Sequence, residues 1–200
     1  MDVDQYLRDP LSRRRFFALS GVGVTGGSAV FLTACGGKGE PETGGGGQSE
    51  VTKAKSPEET DIQILNTALD LEHAAVAAYT RGAELLKGDA LAAGKTFLEH
   101  EQEHAQGLGT AIKDLGGRPN KAMRGYDFPT LRNQKDVLNF AVDLENTAIA
   151  AYLDALPKLS MPELRATAAA IITNEAEHVA VLLGALGMDQ VPDAFVAGKG

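Results

Sequence analysis

Cysteine occurs once, at position 35, in a chain of 200 residues. No intramolecular disulfide can form, and four-cysteine zinc ribbons and rubredoxin-type iron sites are excluded as well. Basic residues are scarce too, with 19 lysines and arginines against 27 aspartates and glutamates. From residue 35 onward the balance is 15 against 24, which argues against nucleic acid as a partner. After residue 34 no apolar run approaches the length that spans a bilayer.

The chain starts with a segment that does not read as part of a fold. Arg13 and Arg14 lie in "SRRRFFALS" and precede the glycine-rich, mildly apolar run "GVGVTGGSAVFLTA". A positive start before a short apolar stretch reads as an export signal, and the glycines make it a poor membrane helix. The arginine pair resembles a twin-arginine signal. Leu32-Thr33-Ala34-Cys35 resembles a bacterial lipobox, which implies a signal peptide over 1–34 and acylation of Cys35 as the new N-terminus. Residues 35–59 are polar and rich in glycine, so they read as a flexible tether. The expected location is the outer face of the cell membrane, with attachment through the N-terminal lipid.

The rest of the chain repeats itself. "LDLEHAAVAAY" at 69–79 returns as "VDLENTAIAAY" at 142–152, an offset of 73. "FLEHEQEH", from 97, returns as "IITNEAEH", from 171, an offset of 74. Two segments recurring in order with near-equal spacing imply two similar helical hairpins. The apolar period of about 3.6 predicts helices near 60–86, 90–115, 134–156 and 161–186. Gly88-Asp89 and the stretch from Pro157 to Pro162 read as the turns within hairpins. Gly116-Gly117 ends the second helix and opens a connection long enough to run the length of a bundle. The expected fold is all-α: a four-helix bundle over 60–186 with one long crossover, followed by a tail over 187–200.

Each predicted helix carries an ionisable residue at the centre of its apolar face. These are Glu72, Glu101 with His104, Glu145, and Glu175 with His178. A buried, unpaired carboxylate is too costly to persist, so such groups are paired, protonated or bound to metal. The core offers no matching set of lysines or arginines. Residues at i and i+3 share a helix face, so each Glu-x-x-His can grip one pair of ions. Four carboxylates would balance two divalent cations, and an oxygen and imidazole donor set without sulfur suits iron or manganese.

A Glu from two helices plus Glu-x-x-His from the other two resembles the ferritin-like di-iron carboxylate superfamily. "YDFPT" before the third helix is similar to exported bacterial members of that group. The resemblance implies two iron ions, with a Mn/Fe pair as the variant. Glu72 and His104 would hold one metal, Glu145 and His178 the other, and Glu101 and Glu175 would bridge them. It implies Fe(II) with O₂ or peroxide as reactants, in an oxidoreductase of the ferroxidase or peroxidase kind. The alternative is a stress-related or metal-storing domain without turnover; a homodimer is an assembly open to either.

"HEQEH" at 100–104 also fits the zinc-peptidase pattern H-E-x-x-H. The repeat aligns it with "NEAEH", so His100 corresponds to Asn174 and only Glu-x-x-His is common to both copies. Thr110 stands where the longer form of the pattern needs a third histidine. Beside the ligand set, Tyr79 and Tyr152 read as core tyrosines bonded to a carboxylate, or as redox-active or ligand-orienting groups. His100 and Asn174, each beside the ligand histidine of its own helix, are expected to fix a ligand imidazole by hydrogen bonding, or else to stand as polar groups at a helix interface. His73, Glu99, Glu103 and Glu177 read as solvated positions, the last two also as candidates for an iron access path. Asp70 and Asp143 repeat without an evident role.

Overall fold

The computed structural model describes residues 55–198, so the expected signal peptide, Cys35 and nearly all of the tether lie outside the described residues. Four long helices make the fold: α1 (Pro57–Gly82), α2 (Gly88–Asp114), α3 (Gln134–Ala155) and α4 (Pro162–Ala185). No β-strand occurs among the described residues.

Local chemistry sets the ends of these helices. Ser56 caps α1 through a reciprocal pair: its hydroxyl accepts from the Glu59 N–H at 3.1 Å, and the Glu59 carboxylate accepts from the Ser56 N–H at 2.8 Å. Pro57 follows in the first helical position, where its missing N–H costs nothing. This cap starts α1 three residues before the predicted 60. The first turn is also earlier than the sequence suggests, falling at Leu86–Lys87. Gly88, with φ +54°, makes the left-handed step into α2. Gly116 (φ +76°) ends α2 as expected, and the Gly117 N–H donates back to the Ile112 carbonyl at 2.8 Å. Asn133 caps α3 by accepting from the Asp136 N–H at 3.0 Å.

α1 packs with α2 and α3 with α4 as two hairpins, and α1 faces α3 while α2 faces α4. The crossover between α2 and α3 is pinned along α1. Asn66 donates to the Arg118 carbonyl and accepts from the Asn120 N–H at 2.7 Å, and the Asn120 side chain donates to Asp70. Near the start of α1, the fully buried Asp61 accepts from both the N–H and the hydroxyl of Ser160, in the α3–α4 turn. The start of α1 therefore lies beside the end of α3, and the two helices run antiparallel.

The apolar core is divided. One cluster gathers Tyr79, Phe97, Phe140, Leu144 and Leu182, and the other gathers Leu65, Leu69, Leu108, Ile112 and Ile171. The four glutamates at the mid-points of the helices lie between the two clusters. Apolar packing at both ends keeps bulk water away from them. No helix among the described residues is long and apolar enough to cross a membrane.

Candidate metal centre

All six expected ligand residues meet in one place. Glu72, Glu101, Glu145, Glu175 and His178 are buried, and only the His104 side chain, 14% exposed, reaches toward the surface. His104 Nδ1 lies 3.1 Å from Glu175 Oε1 and 3.7 Å from both Glu72 Oε2 and Glu101 Oε2. His178 Nδ1 lies 3.0 Å from Glu175 Oε2, 3.3 Å from Glu101 Oε1 and 3.4 Å from Glu145 Oε1. Two overlapping groups result. Glu72, Glu101, His104 and Glu175 form one, and Glu101, Glu145, Glu175 and His178 form the other. Glu101 and Glu175 belong to both, each turning one oxygen toward each histidine.

These atoms are unsatisfied. Glu101 Oε1, His104 Nδ1, Glu145 Oε2, both oxygens of Glu175 and His178 Nδ1 are buried and have no hydrogen-bond partner. A buried polar atom left in that state costs about 1–3 kcal/mol, and more when it is charged. Six such atoms converging on two points are the donor set that a pair of cations would satisfy. Oxygens and imidazole nitrogens fit iron or manganese by chemistry, so the residues present fit the di-metal group.

Without metal, protons do the balancing. Burial alone would lower the histidines, but the surrounding carboxylates of Glu101, Glu175 and Glu72 push His104 up to about 12. The same competition, with Glu101, Glu145 and Glu175 as partners, takes His178 up to about 11. Burial would raise Glu101, yet the two imidazoles outweigh it and bring its carboxyl down to about 2. Glu175 is lowered in the same way against its own burial. Glu72 and Glu145 go the other way: burial, reinforced by the charges of Glu101 and Glu175, raises both well above the ordinary range.

The tyrosines reach across the bundle. Tyr79 of α1 donates to Glu145 Oε1 of α3, and Tyr152 of α3 donates to Glu72 Oε1 of α1. Burial raises both phenols, with the accepting glutamate as the next cause, so each stays protonated and keeps donating.

His100 and Asn174 stand differently toward the ligand imidazoles. His104 turns inward to the carboxylates, and His100 Nδ1 instead lies 2.9 Å from His178 Nε2 on α4. Asn174, its counterpart in the repeat, donates to Glu177 at 3.3 Å and makes no bond to a ligand histidine. His100 belongs to neither donor group, so the first histidine of "HEQEH" is not placed as a zinc-peptidase ligand would be. Glu99, Glu103 and Glu177 are exposed, and His73 is half-buried beside Asp70. The sequence reading missed one contact of the site. The Phe97 ring packs on the His178 ring at 4.1 Å between centroids, where periodicity marked Phe97 only as core. A signal existed: Phe97 lies one turn before Glu101, on the same face.

The sequence profile of the ferritin-like domain family matches residues 60–188. No curated protein matches the chain in sequence. Solved structures match it in fold. A conserved hypothetical protein of Mycobacterium tuberculosis superposes with a TM-score of 0.61 at 20% identity, over 63% of this chain and 96% of that one. A ferritin-like, diiron-carboxylate protein of Bacillus anthracis gives 0.60 at 24% identity, over 66% and 99%. The bacterioferritin of Desulfovibrio desulfuricans, whose diiron site is known in different catalytic states, gives 0.60 at 22% identity, over 66% and 82%.

Proposed function

The chain belongs to the ferritin-like domain family, and from that premise we propose that it binds two iron ions and uses them to oxidise Fe(II) or to reduce O₂ or peroxide. The observation that carries this reading is the set of six buried donor atoms without partners, split between two overlapping groups. Glu72 and His104 would hold one ion, Glu145 and His178 the other, with Glu101 and Glu175 shared. Bound iron would supply the redox chemistry, accepting electrons from Fe(II) and passing them in pairs to the oxidant. The chain contributes the rest. Tyr152 holds Glu72 by Oε1 and leaves Oε2 facing His104, while Tyr79 holds Glu145 by Oε1, the oxygen beside His178, and leaves Oε2 buried without a partner. The apolar clusters at both ends exclude water, and the partly exposed edge at His104 is the shortest way in for a small reactant.

The test is direct. Metal-stripped chain is loaded with Fe(II) under argon and mixed with air in a stopped-flow cell. Ferric absorbance should rise faster than in protein-free buffer, and the Glu101→Leu chain should lose the increment. A rise no faster than the blank sinks the oxidase reading; two bound ions without turnover would then mark a storage or structural domain. Export by the twin-arginine route and anchoring through Cys35 are part of the same proposal, supported by "SRRRFFALS" and "LTAC". Cys35→Ala should release the protein from the membrane fraction or leave it unprocessed. Normal cleavage and retention of that variant would remove the lipid anchor from the picture.

A further inference from the structure

The two donor groups match in their inner residues and differ behind the imidazoles. His178 is held from two sides: its Nε2 meets His100 Nδ1 at 2.9 Å, and its ring lies on Phe97. The side chain is 1% exposed. His104 is 14% exposed, and the contacts its ring makes run from Nδ1 to the carboxylates of Glu72, Glu101 and Glu175. The repeat supplies no substitute, because Asn174 is turned to Glu177.

Chemistry fixes the direction of the His100–His178 bond. A histidine that ligates through Nδ1 must present a lone pair there, so its proton sits on Nε2. His178 Nε2–H then donates, and His100 Nδ1 accepts. The contact selects the tautomer that leaves Nδ1 free, and it fixes the plane of the ring against the carboxylates.

Resting on the di-metal reading above, we infer that His100 is a positioning residue for His178, and that the two ions are therefore held unequally. The ion on the His178 side binds first and more tightly. The ion on the His104 side, whose imidazole lacks that support and borders solvent, is the exchangeable one.

Co(II), titrated under argon into the metal-stripped full chain and followed by visible absorption, reads the two steps separately. The unmutated chain should show two steps of unequal affinity. His100→Ala should weaken the tighter step by about 10–100-fold, the usual cost of losing a partner behind a metal ligand, and leave the weaker step in place. His100→Asn is the conservative variant, because its side-chain oxygen occupies nearly the place of Nδ1 and can still accept. It should restore most of the loss. A second signature needs no variant: in the Zn(II)-loaded chain, proton NMR should show one imidazole N–H, that of His178, protected from exchange with solvent. Unchanged steps in His100→Ala, equal weakening of both steps, or a His100→Asn chain as impaired as His100→Ala would overturn the inference. So would an N–H on His178 that exchanges as fast as that on His104. Two ions in the unmutated chain with any of those results leaves the di-metal reading standing, whereas no Co(II) binding at all overturns both.

Discussion

The first hairpin, α1–α2, and the second, α3–α4, contribute matching residues to the centre and different ones behind it. Inward, Glu72 answers Glu145, Glu101 answers Glu175, and His104 answers His178, each pair related by the repeat. Outward, His100 reaches a ligand ring while Asn174 stays on its own helix. Phe97 covers His178, whereas its counterpart Ile171 sits in the other apolar cluster. Residues that share both donor groups are bound to a matched geometry, while the layer behind them is free to differ. Symmetry is therefore a property of the carboxylate set, and inequality enters through the histidines.

The strongest way to break the comparison is to remove a residue that both halves share. Glu101→Leu should abolish binding of both ions, since each donor group contains Glu101. Without metal the same chain should melt lower than the parent, because removing one partner from a buried ionic cluster leaves the protonated His104 and His178 uncompensated, at a cost of about 3–5 kcal/mol. Elemental analysis of loaded protein beside a thermal melt of stripped protein checks both halves of that statement. One ion retained in the Glu101→Leu chain would remove the shared role.

Next in size are the imidazoles taken singly. His104→Ala and His178→Ala should each cost one ion and spare the other, so each loaded variant should keep one ion per chain by elemental analysis. Loss of both ions from either variant would show that the two positions fill only together.

Proton release treats the halves alike. In the metal-free cluster the protonated His104 and His178 balance the charged Glu101 and Glu175, and Glu72 and Glu145 stay neutral. Four carboxylates with two dications are also neutral. Filling the centre thus expels protons, from the two imidazoles and from Glu72 and Glu145, whose burial favours the neutral form. The sign follows from the raised histidines. Their stabilisation of the metal-free fold is complete below the ordinary value of 6.5 and fades as pH climbs toward about 11 and about 12. Loading should tighten as pH rises from about 5 to about 8, and the Tm gap between loaded and stripped protein should widen. Calorimetry in buffers of different ionisation heat counts the protons, and a pH-independent gap would contradict the assignment.

The smallest expected effects come from the tyrosines. Tyr79→Phe removes the donor on Glu145 and Tyr152→Phe the donor on Glu72, each leaving a buried oxygen unpaired at a cost of about 1–3 kcal/mol. Because the contacts are reciprocal, the two variants should lose similar amounts of Tm in the stripped protein. A clear difference between them would carry the inequality of the halves inward to the carboxylates.

Much of this was legible in the chain because it is written twice. Periodicity gives the face on which Glu72 or Glu145 lies, and the repeat makes each ligand position corroborate its counterpart. Periodicity cannot say who stands opposite. Tyr79 is seven residues from Glu72, about 10.5 Å along the axis, so its hydroxyl cannot reach that carboxylate and finds the one on α3. His100 is a like case: its helix position was readable, but which ligand imidazole it meets depends on how α2 and α4 face each other. Asp61 gave no sign at all, since the repeat places Gln134 at its equivalent position and only the docked turn at Ser160 explains an acid there.

The exchange of tyrosines between hairpins has a consequence for how the halves recognise each other. Each half carries a hydroxyl that the other half's carboxylate requires, and swapping the halves maps one bond onto the other. That is the arrangement a two-fold pair of separate hairpins would make. The crossover, fastened along α1 by Asn66 and Asn120, then supplies proximity, raising the local concentration of one half about the other. Register is written in the faces themselves. A slip of one helical turn, about 5.4 Å, would break both tyrosine bonds and scatter both donor groups together. The centre is therefore assembled by mating, all or nothing, and neither hairpin possesses it alone.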